Sequence, residues 1–339
     1  MRKHLTLWLA ALAGSIVLAV AFGAVSVDLA ETVRGVQAAL SGAHLTMQQA
    51  LAVDVRLPRV LLAVVVGGAL AVAGAIYQSL FANPLADPYI LGVSSGAGLG
   101  ATLAFVASAA LGLSAWRWGL VPLAAFAGGV LTITLVARLG SRKGRLDPVS
   151  LLLAGVAISY TLAAVTAFVM VVAHEQMSAI VYWNMGGLNR ASWEYLWVTA
   201  PVVGLGVGAA WYFARDLDLM LLGEVRASHL GLNSKRFTKV ALTVATLLTA
   251  AAVAVSGSIG FVGLMVPHMV RMRYGSSHGQ LIPISFLGGA VLVVLADLVA
   301  RVVIAPVEIP VGIVLAVLGG PFFVWLLVTQ RGLARGGSR

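Results

Sequence analysis

The sequence predicts an all-α, polytopic membrane protein with about ten transmembrane helices, and three observations predict it. Of its 339 residues, 60% are hydrophobic and only 10% are charged, whereas a soluble domain carries about a quarter charged residues. The apolar residues form long runs, such as Leu61–Leu80 and Val291–Ile304. These runs are apolar on every face, unlike the alternating strands of a membrane barrel. The basic residues fall between the runs, and they fall unevenly.

The predicted spans lie near 5–26, 57–81, 92–111, 118–138, 149–173, 195–213, 238–256, 258–274, 281–303 and 309–329. Arg2 and Lys3 precede the first run as they would in a signal peptide, but the run is long for one and reads as a retained first helix. With the N-terminus inside, most of the 22 Lys and Arg residues occupy inner segments. The outer exceptions are Arg34, Arg56, Arg59, Arg117, Arg190 and Arg301. This asymmetry places both termini in the cytoplasm. The net charge of +10 is then an orientation signal rather than a nucleic-acid footprint. There are no cysteines, which excludes disulfides and thiolate metal sites.

An internal echo runs through the chain. Gly74-Ala75-Ile76 and Pro84 recur as Gly257-Ser258-Ile259 and Pro267. At the same spacing, Gly92, Ser94 and Gly96 meet Gly275, Ser277 and Gly279. This suggests an inverted repeat of helices 2–5 and 7–10, a design common in transporters. Chance in a chain rich in Gly and Ala is the alternative.

The whole chain, 1–339, reads as one transmembrane domain with two contrasting inner loops. Ser141–Pro148 is a short basic connector. The 215–239 stretch mixes charged with apolar residues and reads as two short helices punctuated by Gly223 and Gly231. Such a hairpin suits a docking partner; a helix lying on the membrane surface is the alternative.

Several chemistries are excluded. There is no Gly-Lys-Ser or Gly-Lys-Thr, so no phosphate-binding loop for ATP. There is no His-Glu-x-x-His pattern and no dense carboxylate cluster, so no catalytic or metal-ligating residue is assigned. His174, His268 and His278 are scattered and read as packing or loop residues. Charges within the helices are sparse, which argues against an ion-coupled carrier. Asp297 and Arg301 stand four apart and predict a local ion pair. Arg56-Leu57-Pro58-Arg59 opens helix 2 against the orientation rule. Two guanidinium groups there suit carboxylates on a partner; snorkelling at the interface is the alternative.

At this point the motifs can be compared with a known family. Arg56–Arg59, Gly67-Gly68-Ala69-Leu70-Ala71, Asn83-Pro84-Leu85-Ala86-Asp87-Pro88 and Leu91–Ala97 resemble the permeases of iron-chelate and cobalamin ABC importers. So do Gly257–Leu264 with Val266-Pro267-His268, Ala296-Asp297 with Ala300-Arg301, and Glu308–Gly312 with Gly319–Phe323. The resemblance implies ten helices per subunit, a homodimer with a pathway between the copies, and two copies of a cytoplasmic ABC ATPase. ATP is then used by that partner, and this chain is neither an enzyme nor a cofactor protein. A periplasmic or surface-tethered binding protein would deliver a metal chelate across the inner membrane.

Residue by residue, the resemblance assigns binding-protein docking to Arg56, Arg59 and Arg301. It assigns ATPase coupling to Leu222, Gly223, Glu224, Arg226, His229, Leu230 and Gly231. It assigns the cytoplasmic gate to Asn83 and Leu85 with Pro148 and Val149, although small polar residues stand at the latter site in the cobalamin permease. Tyr160, Met170, Met177, Tyr182 and Met185 are candidates to contact a haem, with packing as the alternative. Iron chelates rank before cobalamin on family breadth alone. Two other classes compete: a secondary transporter without an ATPase, and a non-transport membrane scaffold.

Overall fold

The computed structural model describes residues 2–336 except 24, 113–118 and 143–144. Arg117, Lys143 and Arg339, which enter the charge count above, therefore lie outside the described residues. In chain order the helices are α1 (Arg2–Ala21), α2 (Leu29–Ser41), α3 (Met47–Ala50), α4 (Leu57–Leu80), α5 (Val93–Ala110), α6 (Leu120–Leu139) and α7 (Pro148–Val172). There follow α8 (Met177–Asn184), α9 (Trp193–Tyr212), α10 (Ala214–Met220), α11 (Glu224–His229), α12 (Ser234–Ser256), α13 (Val262–Tyr274), α14 (His278–Val302) and α15 (Val311–Gly336). Two-residue strands at Ser141–Arg142 and Arg145–Leu146 pair as a small ribbon.

All ten predicted spans are helices, with ends moved by a few residues. Among the described residues, eight are long and apolar enough to cross a membrane. Helix α13, the eighth predicted span, has only 13 residues. At 1.5 Å per residue it covers about 20 Å, less than a hydrocarbon core. The sequence reading missed this because α12 runs out at Ser256 and a non-helical stretch follows to Phe261. That stretch is buried and satisfied from inside the protein. The Tyr89 hydroxyl donates to Ile259 O at 2.9 Å, Ile259 N donates back at 3.1 Å, and Ser94 Oγ meets Ser258 Oγ at 2.5 Å. Irregular backbone at membrane depth requires such partners.

The inverted repeat is not carried by the residue echo. Gly92 and Ser94 lie at the start of α5, the third span, while Gly275 and Ser277 precede α14, the ninth. Gly74 is mid-helix, whereas Gly257 ends α12.

Helix α4 is the centre of the bundle: 83% of its span is buried, against 11% for α7. Its glycines explain the difference. Gly67 of α4 and Gly289 of α14 face each other, and an added Cβ on either overlaps the other's carbonyl. Gly74 meets the backbone of Gly263 on α13 in the same way. Small residues let helix backbones touch where lipid supplies no hydrophobic drive. Pro58 opens α4, and the preceding turn, Leu51–Arg56, is a π-helix. Trp193 Nε1 donates to Val53 O in that turn at 3.0 Å, tying α9 to it.

The segment after α4 returns toward the bundle interior. Asp87 caps a 3-10 turn at Pro88–Leu91 by accepting from Tyr89 N at 2.7 Å. Burial pushes the Asp87 carboxyl up to about 6, although the Tyr89 N–H bond opposes the shift. The folded state thus holds this proton above the ordinary carboxylate range. Stability attributable to Asp87 is therefore expected to fall as pH rises from about 4 to 6. Melting midpoints across that window measure the slope, and Asp87→Asn is expected to flatten it.

Candidate functional site

The candidate residues gather at opposite ends of α4 and α14. Arg59 and Ser79 on α4 are twenty residues apart, which is about 30 Å and one hydrocarbon thickness.

At one end lie Arg56, Arg59 and Arg301, as the sequence suggested. They are not free. Their exposures are 5%, 7% and 4%, and that of Asp297 is 1%. Arg59 is gripped from two sides. Its Nε stands 3.0 Å from Asp297 Oδ1, and its Nη1 lies 2.9 Å from Glu308 Oε2. Arg301 Nε pairs with Asp297 Oδ2 at 3.0 Å, the predicted four-apart ion pair. Arg56 and Arg301 also reach the last carbonyls of α1. Arg56 Nη1 donates to Val20 O at 2.7 Å and Ala21 O at 3.0 Å, and Arg301 Nη2 to Ala19 O at 3.0 Å. Arg56 Nη2 also donates to Val25 O. These carbonyls have no partner within the helix, and the helix dipole favours cations there. The three arginines assigned to docking are thus already paired within the chain. Buried guanidinium groups need carboxylates and carbonyls, and the chain supplies them from α1, α14 and Glu308.

Arg59 and Glu308 line a cavity of about 400 Å³ that opens at this end. Tyr182, Asn189, Arg190 and Ser256 complete its polar wall. Arg190 thus joins Arg59 at one mouth, and burial pulls its pKa down. Sequence reasoning counted Arg190 among the outer arginines but gave it no role. Glu308 was read only as part of a motif. Their proximity depends on the 184–192 and 308–311 stretches meeting in space, which no local pattern reports.

The candidate pathway residues separate. Tyr160 is 76% exposed on α7, facing away from the rest of the chain, and Tyr182 faces the cavity. Met170 instead packs against a small apolar cluster around Phe105, Ile180 and Val253.

At the other end the predicted hairpin is present. It is shorter than expected, because α12 begins at Ser234 and takes up the last residues of the 215–239 stretch. Gly223 and Gly231 have φ of +92° and +91° and bracket α11, as the sequence proposed. Leu222, Glu224, Val225, Arg226, His229 and Leu230 are exposed, while Ala227 is buried against the bundle. Leu222, Val225 and Leu230 thus stand in the open on the hairpin.

Asn83 Oδ1 accepts from Leu85 N at 2.9 Å, closing a turn after α4. Pro148 and Val149 open α7 behind the Asp147 cap, which accepts from Ser150 N at 2.8 Å. Among the described residues no hydrogen bond joins the two pairs.

His278, read from the sequence as a packing or loop residue, is fully buried and bonded on both sides. His278 Nδ1 donates to Asp218 Oδ1 of α10 at 2.6 Å, and Nε2 shares a 2.5 Å bond with Ser79 Oγ of α4. Among the described residues no group of three or more His, Cys, Asp or Glu is placed to hold a metal ion.

The profile of the FecCD transport family matches residues 11–329. The chain belongs to the FecCD transport family. It is a permease of the iron-chelate and cobalamin ABC importers, the family its motifs resemble. This FecCD permease is 44% identical over 283 residues to the hemin transport system permease protein HmuU of Yersinia pestis, covering 82% of this chain and 83% of that one. It is 41% identical over 279 residues to the cobalamin import system permease protein BtuC of Halobacterium salinarum, covering 82% and 73%. It is 40% identical over 278 residues to the Fe(3+) dicitrate permease FecD of Escherichia coli, covering 82% and 85%. A solved metal-chelate type ABC transporter in an inward-facing conformation superimposes with a TM-score of 0.83 at 30% identity, covering 97% of this chain and all of that one. The buried arginine cluster and the exposed hairpin are therefore features of a FecCD permease, a multi-pass membrane protein.

Proposed function

We propose that this FecCD permease is one half of an ATP-driven importer in the bacterial plasma membrane, and that it carries an iron chelate, a ferric siderophore or haem. Two copies form the pathway, and two copies of a cytoplasmic ABC ATPase drive it. ATP is bound by the ATPase, and this chain needs no cofactor of its own. Both termini lie in the cytoplasm, with the 214–231 hairpin on that side and the arginine end outside. The observation that carries this reading is the pairing of an exposed hairpin, its second helix bracketed by glycines, with a cavity walled partly by polar groups at the opposite end of α4. Energy enters at one end and cargo at the other.

The unpacked face of α7, with Leu153, Tyr160 and Phe168 exposed, supports a second copy as its partner. At the arginine end, Arg59 lines the cavity while Arg56 and Arg301 brace it from behind. Acidic side chains of a binding protein then dock by competing with Glu308, which is 37% exposed, for Arg59. Exposed charge pairs contribute only about 0–1 kcal/mol each, so docking needs several and weakens with salt. The gate is formed by Asn83 and Leu85 together with the start of α7.

Replacing both Gly223 and Gly231 by valine is expected to weaken association with the ATPase, since both positions need positive φ. A pull-down from solubilised membranes checks this; undiminished capture of the ATPase contradicts the assignment of the hairpin. Cobalamin is the second substrate reading, because relatives for hemin and for cobalamin stand at 44% and 41% identity. Uptake of haem, a ferric siderophore and cobalamin, measured side by side, decides between them.

A further inference from the structure

The hairpin and the bundle meet through a set of hydrogen bonds that the functions assigned above do not use. Asp218 lies on α10, four residues before Leu222, and its carboxylate faces the start of α14. It accepts from His278 N at 2.8 Å, His278 Nδ1 at 2.6 Å and Ser277 Oγ at 3.4 Å. The His278 ring, with no exposed surface, passes the connection to Ser79 Oγ near the end of α4. Ser79 Oγ in turn accepts from Arg271 Nη2 of α13 at 3.0 Å and lies 2.8 Å from Ala75 O. One imidazole thus joins the hairpin to three bundle helices.

The rest of the grip is of another kind. Leu217 and Met220 of α10 and Ala227 of α11 hold the hairpin by apolar packing. Packing is non-directional and lets surfaces slide. A carboxylate held by three donors fixes register and direction. What it fixes the hairpin to is a closely packed pair of helices. Helices α4 and α14 touch backbone to backbone at Gly67 and Gly289 and are locked at the far end by Arg59 and Asp297. A push on His278 therefore moves both helices together and reaches the arginine end, about 30 Å away.

We propose that Asp218 and His278 are the positioning residues through which the hairpin moves the α4–α14 pair, so that they set how much substrate is carried per ATP. This rests on the reading of the chain as an ATPase-driven permease. Capture of the ATPase by the wild-type chain is therefore established first. If the wild type captures none, that reading falls, and this proposal falls with it; if it captures the ATPase, the variants below test this proposal alone.

The test uses the permease reconstituted in proteoliposomes with its ATPase and binding protein. Uptake and ATP turnover are measured together, and melting midpoints are taken in parallel. Asp218→Ala is expected to leave ATP turnover and ATPase capture near wild type while uptake per ATP falls about tenfold, the scale on which mutations along a coupled network act. Asp218→Asn keeps an acceptor oxygen for His278 and is expected to restore most of the ratio. His278→Gln keeps a polar group toward Ser79 and loses the bond to Asp218; it is expected to match Asp218→Ala and serves if that variant fails to fold. An unchanged uptake per ATP in Asp218→Ala or His278→Gln, with only the midpoint lowered, assigns the network to stability alone and overturns the proposal. So does an Asp218→Asn variant as uncoupled as the alanine.

Discussion

Arg59→Ala is expected to destabilise the permease by about 3–5 kcal/mol, the range found when one partner of a buried ion pair is removed. Arg59 is only 7% exposed and holds two carboxylates, those of Asp297 and Glu308. Asp297 itself is almost wholly buried and keeps only Arg301 once Arg59 is gone. The loss appears in the isolated chain, with no binding protein present, in denaturant or thermal unfolding in detergent. Adding Asp297→Asn to Arg59→Ala is expected to recover part of it, because the stranded charge disappears. A loss under about 1 kcal/mol in Arg59→Ala would show an arginine of the exposed, weakly paired class. Docking would then rest on arginines free to pair with a partner's carboxylates.

The second large effect is expected at the crossing of α4 and α14. Gly67→Ala places a methyl group on the carbonyl of Gly289, and backbone cannot rotate away as a side chain can. Overpacking of this kind costs about 1–3 kcal/mol, and more where two helices must separate. Gly208→Ala on α9 is the matched control, since a Cβ there meets nothing within 4 Å. It is expected to be neutral or to stabilise by up to about 1 kcal/mol through helix propensity. Unfolding of the two variants in the same detergent compares them directly. Equal midpoints would contradict the backbone contact on which the rigidity of the α4–α14 pair depends.

These two sites show what was legible in the sequence. Span positions were legible because twenty-odd apolar residues leave one physical option in lipid. The glycines at 223 and 231 were legible because they punctuate a charged stretch, and both adopt the positive φ that such punctuation implies. The ion pair of Asp297 and Arg301 followed from helical spacing alone. What stayed hidden depends on residues far apart in the chain. Arg59 and Glu308 are separated by 249 positions, and Asp218 and His278 by 60. No periodicity connects them. The arginines violated the orientation rule, and a violation marks a residue as special without saying whether its partner lies within the chain or outside it. His278 looked ordinary for the same reason: its importance lies in the two helices it bonds. The shortness of α13 was masked by the apolar run itself, because a buried non-helical stretch is as hydrophobic as a helix.

The central claim is that transport through this permease is driven by an ATPase seated on the 214–231 hairpin. The most direct measurement is uptake of a ferric chelate into proteoliposomes that hold the permease and its ATPase partner, with the binding protein on the outside. Uptake is followed with ATP inside, without ATP, and under imposed proton or sodium gradients. Uptake is expected only with both ATP and the ATPase, and none from the gradients. Uptake driven by a gradient in vesicles lacking the ATPase would contradict that claim and make the protein a secondary transporter.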